Sequence, residues 1–310
     1  MKSPENITVS QAIVGYLLNI EGRRLSPNTI RDYRNTLSKF SARYGAKPIN
    51  SITTTHVSEF LASYPELTKK TISNYHIALS SMWTWLKNQD IVEENIIHQV
   101  DRPKPEKRII APLEESEIKA LFAAIQKTST YARPGKCSSS HTLPNIDRNR
   151  AMMLFFLDNG VRVSELINLR IEDLDIKNLR ARVMGKGAKE RYVPYSARTG
   201  QAIWRYLTTR DNPQPEDHLF VNQGNRPLTR NLVEHYLVNL GNRAGVSKVH
   251  PHRLRHTFAV SYLRAGGDIF TLQMILGHEE LDMVRHYSKL AQVDVQRAHR
   301  RSSPVEFLNL

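Results

Sequence analysis

The chain has 310 residues, with 44 lysines and arginines against 30 aspartates and glutamates, a formal net charge of +14. That length predicts two domains, and 40% hydrophobic residues suffice to bury real cores, which excludes wholesale disorder. The longest apolar run, Ala151 to Leu157, is far short of the roughly 18 residues of a membrane span, no apolar stretch follows Met1 as a secretory signal would require, and the single cysteine, Cys137, rules out an internal disulfide framework and suits a reducing compartment.

In chain order, a first helix carries Ile13, Tyr16, Leu17 and Ile20 and ends near Gly22. Ser26-Pro27 opens a second, with serine at the N-cap and proline at the first helical position. Ile30, Tyr33, Leu37, Phe40 and Tyr44 give it an apolar stripe, and Gly45 can end it. A short helix with Val57, Phe60 and Leu61 stops before Pro65. A fourth runs from about Thr68 to Asn88, with Ile72, Tyr75, Leu79, Met82, Trp83 and Leu86 on one side. Residues 1–100 therefore read as a four-helix domain in which Trp83 and Trp85 serve packing rather than base stacking. Asp101 to about Pro112 is charged, proline-bearing and without apolar period, and reads as a linker. A second domain, 113–310, opens with acidic residues in a first helical turn, Glu114, Glu115 and Glu117.

Lys127–Asn149 is polar, without apolar period, and reads as a long surface insertion. A helix from Ala151 to Asn159 is broken by Gly160, and Val163, Leu166, Ile167 and Leu169 make another short one. Arg180–Met184 and Arg191–Pro194 read as strands joined by a hairpin at Gly185–Glu190. The remainder is helical: one helix spans His252–Ala265, one is capped by Asp268 and ends at Gly277, and a third is capped by Asp282. The fold class is mainly α with a small β-sheet in the second domain.

The charge excess calls for a polyanionic partner, nucleic acid ahead of an acidic membrane surface. Phosphodiester chemistry without a metal needs a nucleophile, cations on the non-bridging oxygens, a proton acceptor and a proton donor. His252 and Arg255 lie three apart at a helix start and share a face, the arginine able to fork onto phosphate and the histidine to exchange a proton near neutral pH. Arg162 follows the Gly160 break, with Glu165 three residues on as a capping partner. Lys186 sits at the hairpin, where it could reach a groove. Its Gly185-Lys186-Gly187 setting lacks the spacing of a phosphate loop. His250, His252 and His256 lack the accompanying pattern of a zinc site. Leu276-Gly277-His278 is followed by Tyr287, whose hydroxyl needs a base and a cationic surround to attack phosphate. Each element alone describes an ordinary helix end or turn.

Their order does not. The succession R-x-x-E, GKG on a hairpin, HxxRH, LGH and a tyrosine nine residues later resembles the tyrosine recombinases, or phage-integrase family, in its simple Xer-like or transposon-type form. The resemblance covers the whole chain and implies an N-terminal core-binding domain of SAM-like type and an α+β catalytic domain. It implies that Arg162 and Arg255 grip the scissile phosphate, Lys186 protonates the leaving 5′ oxygen, His252 takes up the tyrosine proton, His278 hydrogen-bonds the phosphate and Tyr287 is the nucleophile. Glu165 supports the arginines.

The resemblance further implies a site-specific recombinase working through a 3′-phosphotyrosyl intermediate and a Holliday junction, with no cofactor and no metal. Its partners are double-stranded DNA and a homo-tetramer on two duplexes, with residues after about Ala291 exchanged between protomers. Its expected location is cytoplasmic, at the bacterial nucleoid, and its role integration and excision, cointegrate resolution or dimer resolution. Arg31, Arg34, Lys69 and Lys70 are the expected DNA contacts of the first domain, and the flexible linker would let both domains close around duplex DNA. The alternatives are type IB topoisomerase-like relaxation and a non-catalytic DNA-binding protein. The Asp282–His286 segment departs from the family's Thr-rich form, and 127–149 looks longer than in simple members. No arm-binding domain is expected ahead of residue 8.

Overall fold

The structure is a computed structural model, which describes residues 7–105, 111–126, 145–185 and 189–277, with His299, Ser303 and Val305. The chain divides into two compact units, Met1–Arg108 and Ile109–Leu310.

The first unit is built from α1 (Val9–Gly22), α2 (Pro27–Tyr44), α3 (Thr54–Ala62) and α4 (Lys69–Asn88). Local chemistry sets their starts. Thr8, Ser26 and Thr68 accept from the backbone N–H three residues on, satisfying an otherwise unpaired donor of each first turn. The inward stripes then meet in one core, where Phe40 packs edge-on against Phe60 at 5.1 Å and against Trp83 at 5.9 Å. Trp83 is fully buried, and Trp85 tilts over Tyr16 with ring centroids 5.8 Å apart, so both tryptophans are committed to packing. Arg31 and Arg34 are exposed on α2, and Lys69 and Lys70 on the first turn of α4.

The second unit holds α5 (Glu115–Gln126), α6 (Ile146–Asn159), α7 (Val163–Asn168), a three-stranded antiparallel sheet, α8 (Ala197–Thr208), α9 (Arg230–Ala244), α10 (Pro251–Arg264) and α11 (Ile269–Leu276). The sheet runs β1 (Leu174–Asp175), β2 (Arg180–Met184), β3 (Glu190–Pro194), with Ala181 opposite Val193 and Val183 opposite Arg191. Phe155, Phe156, Leu166, Val183, Val193, Phe220, Leu237 and Leu254 are central to its main core. Phe258, Leu263, Leu272 and Leu276 seal α10 onto α11 in a smaller cluster.

Two differences from the sequence reading concern local signals. The stretch 127–149 reads as one irregular insertion, yet Ile146–Asn149 is the first turn of α6, with Asn149 buried. This turn carries a single apolar residue, so no period marks it. The strand β1 is two residues long, too short for alternation to show, and exists only by pairing with β2. The rest of the insertion, residues 127–144, and the helix expected after Asp282 lie outside the described residues. So does the C-terminal tail, apart from His299, Ser303 and Val305.

Candidate active site

The site starts at a helix break. Gly160 ends α6 in the left-handed region (φ 62°), and a Cβ there would collide with the Phe258 ring, so both conformation and packing require glycine. The turn delivers Arg162 to the N-cap of α7. Its backbone N–H donates to Glu165 Oε2 at 2.8 Å and its Nη1 donates to Glu165 Oε1 at 2.8 Å. The arginine side chain remains 32% exposed while that of Glu165 is 2% exposed.

Glu165 has a second guanidinium partner. Arg191, on β3, forks onto it, Nη1 to Oε1 and Nη2 to Oε2, both at 2.9 Å. Burial alone would push the Glu165 carboxyl up, but the Arg191 fork and the Arg162 hydrogen bonds outweigh it and hold it below the usual range.

The C-terminal end of α11 gathers the cations. An α-helix leaves its last carbonyls unpaired, with a partial negative charge. Arg191 Nε donates to Ile275 O at 2.8 Å, Arg255 Nη2 to Leu276 O at 2.8 Å and Arg162 Nη2 to Gly277 O at 3.4 Å. Three arginines from β3, α10 and the α6–α7 turn are thus tied to three consecutive carbonyls. Arg255 is buried, and its Nη1 donates to Gly160 O at 2.6 Å, which links it back to the break that positions Arg162.

His252 lies one turn before Arg255 on α10. It is exposed at the helix start, yet the surrounding protein desolvates its ring and Arg255, Arg230 and Arg162 repel a proton there. Glu234 opposes them only in part, so the imidazole is held below the ordinary histidine value, which favours its neutral form near pH 7. The preceding His250 is the N-cap of α10, with Nδ1 accepting from Arg253 N at 3.2 Å. Arg253 donates to Ala111 O, Ser247 O and Glu117 and so straps the helix to the start of the unit. Its role is structural.

Of the sequence-predicted residues, Arg162, Glu165 and Arg255 come together and His252 stands one turn away. Lys186, His278 and Tyr287 lie outside the described residues. The base of the hairpin that carries Lys186 is closed by Gly185 N donating to Lys189 O at 2.8 Å. Arg191 was missed. It shares the inward face of β3 with Val193, and a charge on the core side of a strand requires a buried counter-charge. That mismatch was the readable signal. The arrangement presents cations fixed in advance of any anion, with an imidazole beside them, which suits attack at a phosphodiester.

The phage integrase family matches residues 113–293, and the N-terminal SAM-like domain of phage integrases matches residues 13–90. The chain belongs to the phage integrase family, the tyrosine recombinases. It is 33% identical over 249 residues to tyrosine recombinase XerC of Bacillus pumilus (strain SAFR-032), across 78% of this chain and 77% of the relative. To tyrosine recombinase XerC of Staphylococcus carnosus (strain TM300) it is 30% identical over 297 residues, across 93% and 95%. The Tn1549 transposon integrase, solved with a circular intermediate DNA, matches with a TM-score of 0.72 at 22% identity, over 91% of this chain and 95% of that one, a likeness of fold. The chain is thus a tyrosine site-specific recombinase, and the motif series from Arg162 to Tyr287 lies wholly within the matched catalytic segment.

Proposed function

We propose that this recombinase cuts duplex DNA by attack of Tyr287 on the scissile phosphate and rejoins it when a 5′ hydroxyl of a partner duplex attacks the stored 3′-phosphotyrosine. Arg162 and Arg255 grip the non-bridging oxygens, His278 hydrogen-bonds the same phosphate, His252 takes the phenol proton and Lys186 protonates the leaving 5′ oxygen. Glu165 supports the arginines. One phosphodiester is exchanged for another, so bond energy is conserved and no nucleotide, metal or cofactor enters the scheme. Two rounds of exchange carry the strands through a Holliday junction on a homo-tetramer, with segments after about Ala291 traded between protomers. Work on DNA implies the cytoplasm and the nucleoid as its place. The biological role is exchange at specific sites, in integration and excision, cointegrate resolution or dimer resolution.

One observation carries this reading: Arg255 and Arg162, from different elements, are anchored on the consecutive carbonyls of Leu276 and Gly277, with His252 one turn from Arg255. In the first unit, Lys69 and Lys70 occupy the start of α4, where the helix dipole is already positive. A DNA phosphate is the partner that both favour.

The test is incubation with a library of nicked duplexes in EDTA, followed by peptide mapping of any covalent adduct. The expected result is a 3′-phosphotyrosyl peptide containing Tyr287, formed despite EDTA and absent from Tyr287→Phe. An adduct that persists in Tyr287→Phe overturns the assignment. Relaxation of a plasmid that bears no recombination site, without exchange products, would instead favour the topoisomerase reading.

A further inference from the structure

Arg191 has no part in the scheme above, yet its charge is spent inside the site. Its side chain is 14% exposed. All three of its nitrogens are engaged, two on the carboxylate of Glu165 and Nε on the carbonyl of Ile275. Glu165 is shared with Arg162, so one buried carboxylate faces two guanidiniums.

The charge count decides what this sharing does. With Arg191 present, two cations and one anion leave the group one positive charge over. With Arg191 removed, Glu165 has a single guanidinium beside it, and Arg162 closes into a neutral ion pair. A carboxylate in low dielectric competes strongly for that guanidinium against an incoming phosphate. The fork geometry fits this division. Arg191 covers both carboxylate oxygens, while the more exposed Arg162 gives the carboxylate one side-chain N–H and holds Gly277 O only at 3.4 Å.

We propose that Arg191 is a positioning residue that acts through Glu165, taking up the carboxylate charge so that Arg162 meets the scissile phosphate as a net cation. This rests on the reading that Arg162 grips that phosphate. The simpler possibility is that Arg191 only cements β3 to α11, and the two make opposite forecasts.

The test measures single-turnover cleavage of a nicked duplex by the full chain, with folding checked by thermal melting and DNA affinity by gel shift. Arg191→Met keeps side-chain length and removes the charge. It is expected to cleave about 100-fold more slowly, the scale of losing one transition-state donor, while DNA affinity stays close to that of the unmodified chain. Two further measurements separate charge from cement. Adding Glu165→Gln to Arg191→Met removes the acid that Arg191 balanced, and is expected to return about tenfold or more of the rate. Replacing the scissile phosphate by a neutral methylphosphonate is expected to narrow the gap between Arg191→Met and the unmodified chain. A double variant as slow as Arg191→Met or slower, or an unchanged gap on methylphosphonate, overturns the proposal.

Should Arg191→Met fail to fold, Arg191→Lys and Arg191→Gln carry the same question. The lysine is expected to cleave within about tenfold of the unmodified chain and the glutamine about 100-fold more slowly, and equal rates overturn it. The two layers of inference fail separately. An adduct in Tyr287→Phe sinks the underlying reading, whereas loss of the adduct in Tyr287→Phe with full-rate cleavage by Arg191→Met sinks only the role of Arg191.

Discussion

Arg255 donates to the main-chain carbonyl of Leu276 at 2.8 Å, so a side chain from α10 closes the end of α11. Its other terminal nitrogen holds Gly160 O at 2.6 Å. One buried guanidinium thereby fixes both backbone segments that shape the site. Arg255→Ala is expected to lose on two counts. Cleavage should slow by about 10²–10³, the effect of removing one preorganised donor. Stability should fall by about 1–3 kcal/mol, because two carbonyls lose their partner in a buried setting. Single-turnover cleavage and urea denaturation read the two losses independently.

The protonation of His252 gives the second prediction. Its desolvation and the repulsion by Arg255, Arg230 and Arg162 put its folded value below the ordinary 6.5. Near that pH the unfolded chain binds more protons at this residue than the folded one. Stability therefore rises with pH through this window and is lost as pH falls below it. Cleavage should follow the same direction, with an acid limb lying below pH 6.5, if His252 takes the phenol proton as proposed. His252→Gln should flatten that limb and slow cleavage by about 10²–10⁴. A pH profile that keeps its acid limb in His252→Gln would assign the limb to another group.

Glu165 has the same sign at lower pH. Its carboxyl is held below the usual range, so its contribution is fully present above the unfolded value of about 4.3 and disappears as pH falls through the folded value. Glu165→Gln leaves two guanidiniums facing an amide in a buried place, and about 3–5 kcal/mol of destabilisation is expected near neutral pH. The gap to the unmodified chain should shrink on acidification below about 4.3 and through the lowered folded value, where the unmodified carboxyl protonates as well. Denaturation midpoints across that range check it.

Much of this arrangement is legible from residue types. Ser26, Thr68 and Asp268 announce helix starts because a short polar side chain can satisfy a first-turn N–H. Gly160 and Gly277 announce ends because both take positive φ. The Arg162–Glu165 pair is local, three residues apart. What stays hidden is long-range. Arg191 meets Glu165 across 26 positions and Ile275 across 84, and no periodicity encodes such pairings. The first turn of α6 escapes for the opposite reason: its four residues hold one apolar side chain, and their helicity is inherited from the buried segment that follows.

Gly160 offers a test of the scaffold. An alanine there must hold a left-handed backbone, at about 1–2 kcal/mol, and place a methyl group against the Phe258 ring, at about 1–3 kcal/mol more. Gly160→Ala should therefore destabilise the chain and also slow cleavage, since Gly160 O is a ligand of Arg255. Adding Phe258→Leu should relieve the collision but not the backbone strain, so denaturation should show partial recovery.

In the first unit, Arg34 is paired with Glu21 across the α1–α2 surface, with both side chains substantially exposed. An exposed pair of this kind contributes only about 0–1 kcal/mol, so a DNA phosphate can displace the carboxylate at small cost. Binding measured against salt should give a straight line of log affinity on log salt, and each cation that contacts a phosphate should account for about 0.9 of the slope. Lys69→Ala and Lys70→Ala should each flatten the line by about that amount. Glu21→Gln should instead strengthen binding a few-fold at low salt by releasing Arg34, and this gain should vanish when Arg34→Ala is added. If Glu21→Gln leaves affinity unchanged while the lysine variants flatten the slope, then α4 faces the duplex and the Arg34 side of α2 does not.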